Sequence, residues 1–117
     1  MSSPVPKDIR EFAVRCFPSI EHLETFMLLR QNTTKSWNAR DIAAGLGIAE
    51  ATAAGVLERL ASHNFLDVKI SNDILFRYDP ASADLEAVAA RCAEFYGRER
   101  VAIINLVTRN AGVSFIA

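Results

Sequence analysis

Cysteine, net charge and long apolar runs are all scarce in this 117-residue chain, and each scarcity excludes something. The two cysteines, Cys16 and Cys92, lie far apart and form no Cys-x-x-Cys pair, so reduced thiols are expected and no disulfide framework is. Thirteen Lys plus Arg stand against 14 Asp plus Glu, and a net charge of −1 excludes a histone-like polycation. The longest strongly apolar stretch, Val101 to Val107, falls far short of the ~20 residues a membrane helix needs. The opening Met1-Ser2-Ser3-Pro4-Val5-Pro6 has no charged leader before an apolar run, so no signal peptide is read there. No repeat, no Gly-rich phosphate loop, no Ser/His/Asp set and no Cys/His metal pattern is present. No catalytic residue, metal ligand or cofactor is therefore assigned, and an enzyme is the least supported class. His22 and His63 read as structural residues, His63 suiting the end of a helix dipole.

What is present is a core. Half of the residues are hydrophobic and 23% are charged, a balance that excludes a disordered polyampholyte and suits one domain of ordinary size. The expectation is a cytoplasmic protein with no membrane association. Ile9, Phe12, Ala13, Cys16 and Phe17 recur at helical spacing, ended by Pro18. Ser19 can cap a second helix whose apolar residues, Ile20, Leu23, Phe26, Met27, Leu28 and Leu29, cover so much of its surface that it should be buried. A polar loop follows, and then Trp37, an expected anchor for a small sheet.

Asn38 and Asp41 form a pair resembling a capping box, opening a helix with Ile42, Ala43 and Leu46 on one face. Gly47 can take the positive φ of a tight turn, and a second helix runs from about Glu50 to Ser62 with Ala53, Val56, Leu57 and Leu60 inward. Two short helices joined by a Gly-bearing turn are the helix-turn-helix unit.

Two β-type runs, Phe65 to Ile70 and Ile74 to Tyr78, come next. A two-residue turn would set Val68 opposite Arg77. A three-residue loop, Ser71-Asn72-Asp73, pairs Ile70 with Ile74, Val68 with Phe76 and Leu66 with Tyr78 on one continuous apolar face. It also places Asp67 across from Arg77, and is the register expected. Asn72 or Asp73 would supply the left-handed residue such a loop needs.

Asp79 or Ser82 caps a long helix expected from about Ala83 to Arg109, with Gly97-Arg98-Glu99-Arg100 as a polar interruption. Val101 to Val107 is apolar over most of the helix circumference, so Ile103, Ile104, Leu106 and Val107 are expected to bury against a second chain or the first helix. The apolar end Val113 to Ala117 either packs on the body or a partner, or the natural chain continues.

The segments Asp41-Ile42-Ala43, Leu46-Gly47-Ile48, Val56-Leu57-Glu58-Arg59-Leu60 and Phe76-Arg77-Tyr78 together resemble the bacterial winged helix-turn-helix regulators, broadly MarR-like. The resemblance implies a mainly α fold with a small β-hairpin wing, a winged helix-turn-helix domain plus a long C-terminal helix. The corresponding division is residues 1–18 as an N-terminal helix, 19–80 as the winged domain and 81–117 as a helical extension for dimerisation. It further implies a homodimeric DNA-binding transcriptional regulator. Carried onto this chain, Lys35, Arg40, Arg59 and Lys69 would meet phosphates of double-stranded DNA, with Thr52 and Glu50 nearest the bases. The outward positions Ala49, Glu50, Ala51, Ala54, Gly55 and Glu58 include no Arg, Lys, Asn or Gln, the residues that read bases bidentately. The alternative is a winged helix used as a protein-interaction module, docking a partner on Ala51, Ala54 and Gly55.

Overall fold

The computed structural model describes residues 5–116, and side chains over residues 5–109. Among these the order is α1 (Lys7–Cys16), α2 (Ile20–Gln31), α3 (Ala39–Leu46), α4 (Glu50–Ser62), β1 (Leu66–Ile70), β2 (Ile74–Tyr78), α5 (Ala83–Arg98) and α6 (Arg100–Ile116). The chain is mainly helical with one small antiparallel hairpin. No described helix is long and apolar enough to cross a membrane. Two compact units are distinguished, one formed by the two ends of the chain, up to Leu23 and from Ser82 onward, the other by Glu24–Ala81.

In the unit built from the chain ends, α1 packs on α5 and α6, and α5 packs on α6. The α1 side chains at helical spacing, Ile9, Phe12, Ala13 and Cys16, are buried, and Phe17 closes the helix by donating its N–H to the Ala13 carbonyl at 2.9 Å. Phe12 and Phe17 meet edge to face, 5.5 Å between centroids. Both cysteines are buried, and neither forms a disulfide. Asp8 and Arg91 form an ion pair that joins α1 to α5 across half-exposed side chains. Such a pair contributes at most about 1 kcal/mol, far less than the apolar burial beside it.

The long helix expected from Ala83 to Arg109 is two helices. Glu99, at φ −128° and ψ 57°, leaves the helical conformation and separates α5 from α6. Its N–H still reaches the Phe95 carbonyl at 2.7 Å, so the interruption sacrifices little hydrogen bonding. The physical reason lies in the apolar run that follows. One straight helix would carry Val101 to Val107 away from the core, whereas the break lets α6 pack on both α1 and α5, burying Ile103 and Val107 completely. Ser82 is the cap of α5, its Oγ accepting from the Leu85 N–H at 3.1 Å. The apolar end Val113 to Ala117 lies outside the described side chains.

In the second unit, the later part of α2 supplies Phe26, which meets the rings of Phe65 (5.3 Å) and Tyr78 (5.9 Å) edge to face. Phe26, Met27 and Leu29 are buried, as the wide apolar surface of α2 requires, and so is the polar Thr25. Helix α3 starts on a complete capping box. Asn38 Oδ1 accepts from the Asp41 N–H at 2.7 Å, and the Asp41 carboxylate accepts from the Asn38 N–H at 3.4 Å. It ends at Gly47, which sits in the left-handed region (φ 68°, ψ 37°) with its N–H on the Ala43 carbonyl. The Ile48 N–H also bonds the Ala43 carbonyl, at 3.1 Å, and α4 begins two residues later.

The hairpin has the expected register, with Ile70 opposite Ile74, Val68 opposite Phe76, Leu66 opposite Tyr78, and Asp67 opposite Arg77. The Arg77 guanidinium lies 3.7 Å from the Asp67 carboxylate and 3.8 Å from that of Asp79. Trp37 is buried and adds one bridge to the outer edge of β2, exchanging both backbone bonds with Phe76 (2.8 and 2.7 Å).

Two expectations for the hairpin are corrected. No residue of the loop 71–73 is left-handed; the loop closes through the Ser71 N–H on the Asp73 carbonyl (3.0 Å) and the Ile74 N–H on the Asp73 carboxylate (2.8 Å). Side-chain acceptance at Asp73 does what a positive φ would otherwise do. The left-handed residue is instead Asn64 (φ 69°), in the turn from α4 to β1, where it lets the Phe65 N–H reach back to Leu60. The apolar face is also only half covered. Leu66, Phe76 and Tyr78 at the base are buried, whereas Val68 (41%), Ile74 (47%) and Ile70 (77%) are exposed.

Candidate nucleic-acid interface

Helix α4 is held from behind by the buried Ala53, Val56, Leu57 and Leu60, which leaves its opposite face open. That face presents Ala49, Glu50, Ala51, Thr52, Gly55, Glu58 and Arg59, all exposed, with Ala54 half-buried. Ala49 stands at the N-cap and offers no side-chain acceptor to the helix start. Glu50 follows in the first turn, where a carboxylate is favoured by the helix dipole, and this is a structural reason for an acidic residue at that end. Small side chains at Ala51, Ala54 and Gly55 let another surface approach the α4 backbone. No atom lies within 4 Å of a Cβ built on Gly55.

The predicted phosphate contacts fall on different elements. Lys35 is in the loop before the Trp37 bridge, and its ammonium lies over the Trp37 ring at 3.9 Å. Arg40 is exposed in the first turn of α3 and makes no ion pair among the described residues. Arg59 is exposed in the last turn of α4, and Lys69 is exposed on β1. Arg77, by contrast, has the carboxylates of Asp67 and Asp79 at 3.7 and 3.8 Å, so its immediate surroundings are net acidic.

One contact bearing on this surface is not legible from sequence spacing. The Asn38 side-chain amide donates to the Asp73 carboxylate at 2.8 Å, joining the start of α3 to the hairpin loop. Arg40 follows two residues after Asn38, the residue joined to this carboxylate-bearing loop. The exposed tip of the hairpin, Val68, Ile70 and Ile74, was also not separable from the buried base by alternation alone. Both parts have the same pattern, and only the length of the hairpin relative to its support distinguishes them.

Among the described residues no group of His, Cys, Asp and Glu is arranged to hold a metal ion. The predicted interface residues in α6 divide in two. Ile103 and Val107 are fully buried within the chain, while Ile104 and Leu106 are half-buried. Compared with known proteins, the chain matches no family model, no curated protein and no solved structure.

Proposed function

We propose that Glu24–Ala81 is a winged helix-turn-helix domain and that the chain is a DNA-binding transcriptional regulator. The observation that carries this reading is the left-handed Gly47 turn between α3 and α4, followed by an antiparallel hairpin, with the outer face of α4 left open. In this reading α4 enters the major groove, with Glu50 and Thr52 nearest the base edges. Glu50 can accept from a cytosine amino group, and the Thr52 hydroxyl can donate or accept. Affinity comes from Lys35, Arg40, Arg59 and Lys69 on phosphates, through release of condensed counterions.

The test is a salt titration of binding to a pool of promoter fragments. Four phosphate contacts would give a log–log slope of about −3 to −4. Preferred fragments should persist as the salt rises. Loss of retention on every fragment at about 50 mM salt overturns the reading.

A second reading is favoured by a specific feature of the same face. Ala51, Ala54 and Gly55 lie between Glu50 and Glu58, and the exposed positions from Ala49 to Glu58 include no base-reading Arg, Lys, Asn or Gln. A winged helix with such a surface suits a protein partner whose helix packs closely on α4. In that case Gly55→Leu abolishes partner binding without any change in salt-dependent DNA retention.

A further inference from the structure

Among the described residues no strand pairs with the outer edge of β1, and the sequence of that edge is complementary to itself. Bonds between Ser71 and Asp73, and from Asp79 to Phe65, place the hydrogen-bonded pairs of the hairpin at odd-numbered positions of β1. Trp37 takes the outward N–H and C=O of Phe76, the partner of Val68, consistent with the same alternation. The N–H and C=O groups of Leu66, Val68 and Ile70 therefore point away from β2. Among the described residues nothing bonds those of Val68 or Ile70, and residues 67–70 are all exposed.

We propose that two copies of this chain associate by antiparallel pairing of β1 with β1, centred on Val68. In that register Val68 faces Val68 of the second copy, and Leu66 faces Ile70, with the reciprocal pair on the other side. These are the residues whose backbone groups point outward, so each pair exchanges both of its N–H···O=C bonds. The same register sets Asp67 opposite Lys69 of the second copy, twice. Moving either strand by two residues centres the pairing on Asp67 or on Lys69 and sets like charges directly opposite. The charge pattern therefore selects one register.

The joined sheet has two distinct faces. On one, Phe76, Val68, and Val68 and Phe76 of the second copy form a continuous apolar row, beside rows containing Ile74, Ile70, Leu66 and Tyr78. On the other, Arg77, Asp67 and Lys69 of the second copy alternate in charge, extending the ion pair already made between Arg77 and Asp67. Pairing removes the edge that an exposed strand otherwise offers to any chain. It also lays the exposed Ile70 against Leu66 of the other copy. This association does not depend on DNA binding, and it does not engage Lys35, Arg40 or Arg59.

The experiment is sedimentation of the full chain over a range of concentrations, with variants that act on the edge alone. Val68→Pro removes an N–H that the hairpin itself does not use, so it should leave the helical circular dichroism unchanged while the dimer is lost. Lys69→Asp should weaken dimerisation by about tenfold to a hundredfold, by setting carboxylates opposite each other. Mixing Lys69→Asp with Asp67→Lys should restore a dimer containing one of each, because every cross-strand pair is then opposite in sign. A wild-type chain that stays monomeric at millimolar concentration overturns the proposal. So does a dimer that survives Val68→Pro and Lys69→Asp, or one that only Ile104→Asp dissociates.

Discussion

Asn38 bonds Asp73 across 35 positions of sequence, its side-chain amide donating to the carboxylate at 2.8 Å while its Oδ1 caps α3. One side chain thus starts the helix and fastens the hairpin loop to it. The two tasks can be separated by substitution. Asn38→Ser keeps the cap and loses the link to Asp73, so it should cost about 1 kcal/mol or less. Asn38→Ala loses both and should cost about 1–2 kcal/mol, read from chemical denaturation midpoints. Equal costs for the two variants would mean that the cap contributes nothing, and an Asn38→Ser variant as stable as the parent would mean that the link to Asp73 contributes nothing.

Gly47, between α3 and α4, and Gly55, inside α4, should respond oppositely to alanine. Gly47 has φ +68° with open space around its Cβ position, so Gly47→Ala is opposed by backbone conformation and not by a clash. A loss of about 1–2 kcal/mol is expected. Gly55 lies inside α4 with equally open space, and Gly55→Ala should stabilise by about 0.5–1 kcal/mol. Thermal melting of both variants against the parent checks the contrast, and destabilisation by Gly55→Ala would contradict it.

Thr25 is fully buried in α2, and among the described residues its hydroxyl has no hydrogen-bond partner. Thr25→Val keeps the branched shape and removes the unsatisfied oxygen, so it should raise stability by about 1 kcal/mol. Destabilisation in urea unfolding would show that the hydroxyl is satisfied in solution.

The carboxylates on the open face of α4 separate the two functional readings. Glu50→Gln combined with Glu58→Gln removes two negative charges from that surface. If α4 lies against DNA, retention at low salt should rise several-fold, and the difference should shrink as salt screens it. Unchanged retention would place α4 away from the phosphates.

Much of this architecture can be read from local pattern because local physics decides it. The capping box at Asn38 and Asp41 uses groups within one turn of each other, and the positive φ at Gly47 is a property of glycine itself. The hairpin register followed from alternation and one charge pair, because a shift by one residue reverses every side chain. Other features escaped the same reasoning. The left-handed residue was expected at Asn72 or Asp73 and occurs at Asn64, since the Asp73 carboxylate takes the Ile74 N–H and the helix end needs the turn instead.

The candidate interface was legible in kind but not in electrostatics. Exposure of the α4 face follows from its buried stripe and the Asp67–Arg77 pair from the register, whereas the bond from Asn38 to the Asp73 carboxylate needs the tertiary fold.

Local sequence determined by itself the capped start of α3, the turn at Gly47 and the register of the hairpin, because each depends on residues close together in the chain. Tertiary structure alone decided where the last helices part. The apolar run after Glu99 gains by folding back on α1 and α5, a gain invisible to any window of sequence that does not contain α1. It also decided which half of an apolar hairpin face is covered. Burial depends on what stands opposite a side chain, and the alternation that sets Ile70 and Leu66 on one face is silent about that.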